Sequence, residues 1–295
     1  MSTSGNLEHW ELLAGFHGTG SDDYYDVPAL IRGEMSLRPL EVAGLDTATR
    51  GSGVDGLRVA HVQSHIGIDT VHLARLGATV TAFDFSPVAL ERLRAIAAAC
   101  GVEVDTVLAD SQALGSTHFA AWHGRFDVVY ATIGVICWIA DLDAWMQGAA
   151  ALLKPGGRLL LLDVHPLYCM GESFTPLVLD FPYVNDGPRH FEGSGSYANP
   201  DADLPWSIEE YAWSIGETVN AAIGAGMTIV RLDEHVASAS DPRGDCMTRE
   251  PDGLFRLRAG RGGAGALPEP LPVLFTLVAE RPGPRGTLSE DEPVG

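Results

Sequence analysis

Residues 57–87 read LRVAHVQSHIGIDTVHLARLGATVTAFDFSP, and this stretch decides the fold. An apolar run from Leu57 to Val62 enters a short turn closed by Gly67, and a helical pattern follows through Leu76. Gly77 stops that helix ahead of a second apolar run that reaches Asp84. Strand, turn, helix and strand in this compass form a nucleotide-binding half-unit. A carboxylate offers two oxygens at the spacing of a hydroxyl pair, so Asp84, at the tip of the second strand, is placed to accept both hydroxyls of a ribose.

Outward from this unit the alternation continues. The pattern predicts a helix over 87–99, strands over 102–108 and 126–131, a helix over 141–153 and a strand over 158–164. Such alternation implies a parallel sheet with helices on both faces. Ser86 caps the second helix and Pro87 suits its first position, while Leu90, Leu93, Ile96 and Ala97 mark its buried stripe. Ser214-Ile215-Gly216-Glu217 is a capping box for a further helix, followed by strands over 227–236 and 271–279. Residues 1–50 read as a helical cap carrying Trp10, Phe16, Tyr24 and Tyr25, ahead of a main domain over 51–281. From His165 to Trp206 periodicity disappears, which predicts a structureless lid, with the whole insertion bounded at 165–213. The Pro- and Gly-rich stretch 282–295 is expected to be a disordered tail.

The chain has 295 residues and a formal net charge of -20. A grip on nucleic-acid phosphates needs clustered Lys and Arg, so this balance argues against DNA or RNA and for a small-molecule partner. Cys100, Cys137, Cys169 and Cys246 lack the paired spacing of a zinc or redox site and read as reduced thiols. No apolar run reaches the roughly 20 residues of a membrane span, and MSTSGNLEHW lacks the regions of a signal peptide. The expectation is a soluble, cytoplasmic protein without a membrane partner, for which a homodimer is the natural assembly to test.

Together these pieces resemble the class I S-adenosylmethionine-dependent methyltransferases over nearly all of Leu57 to Arg281. Leu152-Leu153-Lys154-Pro155-Gly156-Gly157 matches the LLKPGG that precedes the family's fifth strand. The resemblance implies a Rossmann-like, seven-stranded sheet, mostly parallel with the last strand antiparallel, and a lid insertion after the fifth strand. It also implies S-adenosylmethionine as cofactor. At the first motif, where the family has an acid leading GxGxG, this chain has His61, Gln63, His65 and Gly67, a pattern similar to a branch of bacterial small-molecule methyltransferases. The resemblance makes Asp84 the ribose acid and places Phe85 on the adenine face. Asp110 and Ser111 fall near the adenine amine, Thr132 near the methionine moiety, and Tyr24 or Tyr25 near the methionine carboxylate. Gln63, His65 and Gly67 complete the expected cofactor contacts.

The lid would carry the acceptor chemistry. Methyl transfer is a displacement that needs alignment, plus a base when the acceptor has a proton to lose. Glu172, a carboxylate among apolar and aromatic residues, and His165, at the carboxyl edge of the fifth strand, are the candidate catalytic groups. The plain alternative for His165 is a capped histidine before Pro166. Tyr211 and Trp213 alternate with Ala212 as in a short strand and, with Tyr183, form a candidate aromatic wall for substrate. The expected reaction is methyl transfer to O, N or C of a small molecule, with bacterial specialised metabolism as its expected setting. C-methylation of a prenyl diphosphate, with Glu172 as base and Arg32, Arg38, Arg189 or Mg²⁺ on the diphosphate, is a narrower option. A nicotinamide-dependent oxidoreductase and a methyltransferase-fold binding protein without catalysis are the alternatives; otherwise no metal is expected.

Overall fold

The computed structural model describes residues 4–19, 24–34, 37–174, 177–241, 247–257 and 270–283. Three helices come first: α1 (Ser4–Phe16), α2 (Val27–Arg32) and α3 (Pro39–Ala48). The alternating part follows as β1 (Arg58–Val62), α4 (Ile68–Arg75), β2 (Thr79–Asp84), α5 (Pro87–Ala99), β3 (Asp105–Leu108), β4 (Phe126–Thr132), α6 (Leu142–Leu152) and β5 (Leu153–Val164). After α7 (Pro166–Cys169) come β6 (Gly171–Phe174), β7 (Leu177–Leu179), β8 (Arg189–Ser194) and β9 (Pro205–Glu210). The chain closes with α8 (Ile215–Gly224), β10 (Thr228–His235), β11 (Met247–Arg249), β12 (Phe255–Leu257) and β13 (Leu274–Glu280).

Seven strands form one sheet in the order β10-β13-β5-β4-β1-β2-β3. The pairs from β3 to β5 are parallel, and β13 lies antiparallel between β5 and β10. The expected architecture is therefore present, including the inverted last strand. Its central strands are apolar on both faces because both are covered. On β4, Val129 and Ala131 join a core under α6 and α8, while the alternate residues Val128 and Tyr130 join a second core that includes Leu45 of α3 and Leu73 of α4. Leu90, Leu93, Ile96 and Ala97 are buried as their spacing predicts, and the Ser214–Glu217 capping box is formed.

Two expectations are corrected. The segment after β5 is not structureless: β6 pairs with β7, and β8 with β9, as antiparallel hairpins. Asn6 of α1 fastens the second hairpin, its side-chain amide donating to Glu209 O at 2.9 Å and its Oδ1 accepting from Glu209 N at 2.8 Å. A side-chain amide carries the same donor and acceptor as a peptide group, so one distant asparagine stands in for a strand partner. Second, Tyr211 and Trp213 lie beyond the end of β9, where Tyr211 N donates to Cys137 O and Trp213 Nε1 to Ile139 O, both at 2.8 Å. The expected tail from residue 284 onward and Cys246 lie outside the described residues. Among the described residues no helix is long and apolar enough to cross a membrane.

Candidate active site

The turn after β1 runs with positive φ at every second residue: 59° at Gln63, 50° at His65 and 75° at Gly67. Left-handed backbone is strained for side chains other than glycine, at about 1–3 kcal/mol per residue, and persists only where the surroundings hold it. The surroundings here can be named. Gln63 Nε2 donates to Val135 O at 3.2 Å, and its Oε1 accepts from Trp145 Nε1 at 2.8 Å, which ties the turn to α6 and to the loop after β4. The backbone N–H of His65 donates to Asp84 Oδ2 at 2.8 Å, and its ring Nε2 lies 2.8 Å from His17 Nδ1. His17 reaches on to Ser196 Oγ at 2.7 Å. Gly67 has a second reason besides its φ: a Cβ there would meet Leu93 Cδ1 of α5 at 2.1 Å.

This turn, the ends of β2 to β4 and the N-terminal helices enclose a cavity of about 1260 Å³ including its mouth, at the carboxyl edge of the parallel strands. Of the expected cofactor residues, Tyr25, Gln63, His65, Gly67, Asp84, Phe85, Ser111 and Thr132 line it. Asp110 does not; its carboxylate accepts from Gln112 N at 3.0 Å and caps a short 3₁₀ turn. Asp84 is 6% exposed, and its other oxygen takes the Ser86 N–H at 2.9 Å. Burial pushes its pKa up to about 6 against the pull of those N–H donors.

The residues expected to handle the acceptor lie elsewhere. Glu172 is exposed on β6, Tyr183 is exposed, and neither they nor Tyr211, Trp213 and His165 line the cavity. His165 is buried, with Nε2 2.6 Å from Glu234 Oε1 and Nδ1 accepting from Leu167 N at 3.1 Å, so it caps α7. The three arginines weighed for a diphosphate do not converge. Arg32 pairs with Glu34 at 2.7 Å and Arg189 with Asp186 at 3.1 Å, while Arg38 alone lines the cavity.

In their place the cavity holds Glu41 and Trp138, which sequence reading missed, beside Asp69, which it named only as the last position of the first motif. Asp69, in the first turn of α4, takes hydroxyl donors from Tyr130 at 3.2 Å and Thr132 at 3.1 Å. Glu41 of α3 is only 3% exposed; its Oε2 accepts the Arg38 N–H at 2.6 Å. Burial, reinforced by the charge of Asp69, raises the Glu41 pKa to about 8. Arg38 lies 4.9 Å from the Tyr24 ring centroid, and Trp10 and Trp138 meet edge to face at 5.2 Å. His61, standing where the family has its leading acid, is bonded to Thr70 Oγ1 at 2.8 Å and held neutral by burial, its pKa lowered to about 4. The loop after β4 is shaped by buried Asp163, whose carboxylate accepts from the N–H of Gly134 at 2.6 Å and of Ile136 at 2.8 Å. The only sequence hint of Glu41 was its place three residues after Arg38 and two after Pro39, a helix-start pattern that says nothing of a cavity.

Comparison with known proteins fits this geometry. Residues 60–159 match a methyltransferase domain model. A ubiquinone biosynthesis O-methyltransferase of Escherichia coli is 30% identical over 207 residues, 69% of this chain and 80% of that protein. The chain belongs to the class I S-adenosylmethionine-dependent methyltransferases. At the level of fold, this methyltransferase is similar to a solved S-adenosylmethionine-dependent methyltransferase from Mesorhizobium loti (TM-score 0.56, 20% identity, 82% of this chain and 96% of that one). A second, from Clostridium acetobutylicum, gives a TM-score of 0.55 at 12% identity over 88% and 98% of the two chains. The cavity suits the methyltransferase's cofactor in charge: among the described lining residues the carboxylates of Asp69 and Asp84 face one arginine, Arg38, with His61 and His65 neutral, and electron-rich rings stand alongside, a setting that favours a cation.

Proposed function

We propose that this methyltransferase methylates a hydroxyl oxygen on a small organic molecule, with Glu41 as the proton acceptor. When bound, S-adenosylmethionine supplies a methyl group on a sulfonium, which is electrophilic without further activation. Asp84 would take the ribose hydroxyls, Phe85 and Ile139 would flank the adenine, and Ser111 would meet its edge. Asp69 would balance the positive end of the methionine, Tyr25 and Arg38 would hold its carboxylate, and Thr132 would position Asp69. Gln63, His65 and Gly67 would contribute the shape of the turn.

The observation that carries this reading is Glu41, a carboxyl at 3% exposure on the wall of the cavity with a pKa near 8. A base is most effective when its pKa lies near the working pH, and one so placed contributes typically 10²–10⁴ in rate. The exposed Glu172 has neither the burial nor the position. The oxygen acceptor is supported by the similar Escherichia coli protein, which is an O-methyltransferase of ubiquinone biosynthesis. The test is a labelled-methyl assay over hydroxylated acceptors. Glu41→Gln is expected to lower kcat at least a hundredfold while the cofactor still binds, and Glu172→Gln to leave kcat within about twofold. The reverse pattern would return the base to Glu172.

A further inference from the structure

A second cavity of about 830 Å³ including its mouth lies against the first, between α3, the ends of β5 and β10 and the loop before β12. Arg38, Glu41 and Ile133 line both and form the wall between them. Elsewhere the second cavity is mostly apolar, through Leu40, Leu162, Val236, Ala237, Leu254 and Leu274. It opens at the carboxyl edge of the same sheet, where ligands of open α/β folds bind.

We infer that this second cavity is the acceptor chamber, taking an apolar, ring-sized molecule whose single hydroxyl lies at the Arg38–Glu41–Ile133 wall. Three observations converge on it. The lining is apolar with few polar groups, as small-molecule sites usually are. The shared wall brings a molecule in this chamber within one side chain of the cofactor cavity, as alignment for displacement requires. Glu41 stands in that wall with Oε2 committed to the Arg38 amide and, among the described residues, no hydrogen bond on Oε1. A hydroxyl entering from the apolar side would find at that wall Oε1 of Glu41 beside the Arg38 guanidinium and an otherwise mostly apolar lining, so a weakly acidic hydroxyarene fits better than a sugar or a peptide. The remaining polar groups, Glu234, His235 and Ser238, leave room for one further polar substituent at another part of the lining.

This rests on the methyl-transfer reading above, and the experiment separates the two. The full chain is titrated with 2-naphthol, followed by its own fluorescence, and independently with S-adenosylmethionine by calorimetry. The same is done for Ala237→Trp and Ala239→Phe, which fill the second cavity without touching the first. The expected result is naphthol binding by the natural chain, weakened at least tenfold in both variants, with cofactor affinity within about twofold throughout; that unchanged affinity also certifies the variants as folded. Naphthol binding that ignores both substitutions, or is absent from a chain that binds cofactor, overturns the chamber. Naphthol binding that depends on Ala237 and Ala239 in a chain that binds no cofactor keeps the chamber and overturns the function.

Discussion

The backbone N–H of His65 donates to Oδ2 of Asp84 at 2.8 Å, so the acid at the end of β2 clamps the very peptide that has no glycine to relax it. With Oδ1 taking the Ser86 N–H, Asp84 fastens the first turn to the start of α5. The residue read from sequence as a ribose ligand is thus also a bolt in the fold. Both roles use one carboxylate, since each oxygen has lone pairs to spare for further donors.

Asp84→Ala tests the two roles at once. S-adenosylmethionine affinity is expected to fall at least tenfold, about 1.4 kcal/mol, and the melting temperature to drop because two buried N–H groups lose their acceptor. Calorimetric titration beside thermal melting reads both. Unchanged affinity with lowered stability would leave Asp84 a bolt only.

Stability should fall as pH rises. Burial lifts the carboxyl of Asp84 to about 6 and that of Glu41 to about 8 in the fold, above their ordinary values of 3.8 and 4.5. The folded chain therefore holds protons that the unfolded chain releases. Their contribution is full below about pH 4 and is lost as pH climbs through 6 and then 8, a change on the order of several kcal/mol in total. Urea unfolding of the cofactor-free protein is expected to give lower stability at pH 8.5 than at pH 5.5, and Glu41→Gln is expected to flatten the upper part of that slope. A stability that rises over this range would contradict the burial of both groups.

Gly67→Ala should destabilise the chain by at least about 2 kcal/mol, since it adds left-handed strain and drives a Cβ into Leu93. Leu93→Ala alone should cost about 2–5 kcal/mol through its cavity. The pair should cost clearly less than the sum, because the cavity accommodates the new methyl group. Additive losses in chemical denaturation would show that Gly67 is needed for its φ alone.

Much of the sheet was legible because its strands are apolar runs punctuated by Gly, Pro and caps, and those signals are local. The cofactor turn was legible in outline for the same reason: Gly67 and Asp84 stand at fixed positions on either side of α4. Glu41 and Asp69 were not, since each sits in the first turn of a helix, where an acid needs no explanation beyond the helix dipole. Their meaning comes from α3 and α4 being brought to one cavity, which only the fold does. The hairpins after β5 were hidden likewise, for β9 is held by Asn6, about two hundred positions away in sequence. Glu172 drew attention through apolar and aromatic neighbours in the sequence, yet it stands exposed on β6, in a two-stranded hairpin apart from the seven-stranded sheet.

The central claim is that a turn carrying Gln63 and His65 in place of glycines still presents Asp84 to S-adenosylmethionine. Titration calorimetry of the full chain with S-adenosylmethionine and, separately, with NAD tests it most directly. Saturable binding of S-adenosylmethionine at one site per chain, lost in Asp84→Ala and absent for NAD, is the predicted result. No binding of S-adenosylmethionine, or binding indifferent to Asp84, would contradict it.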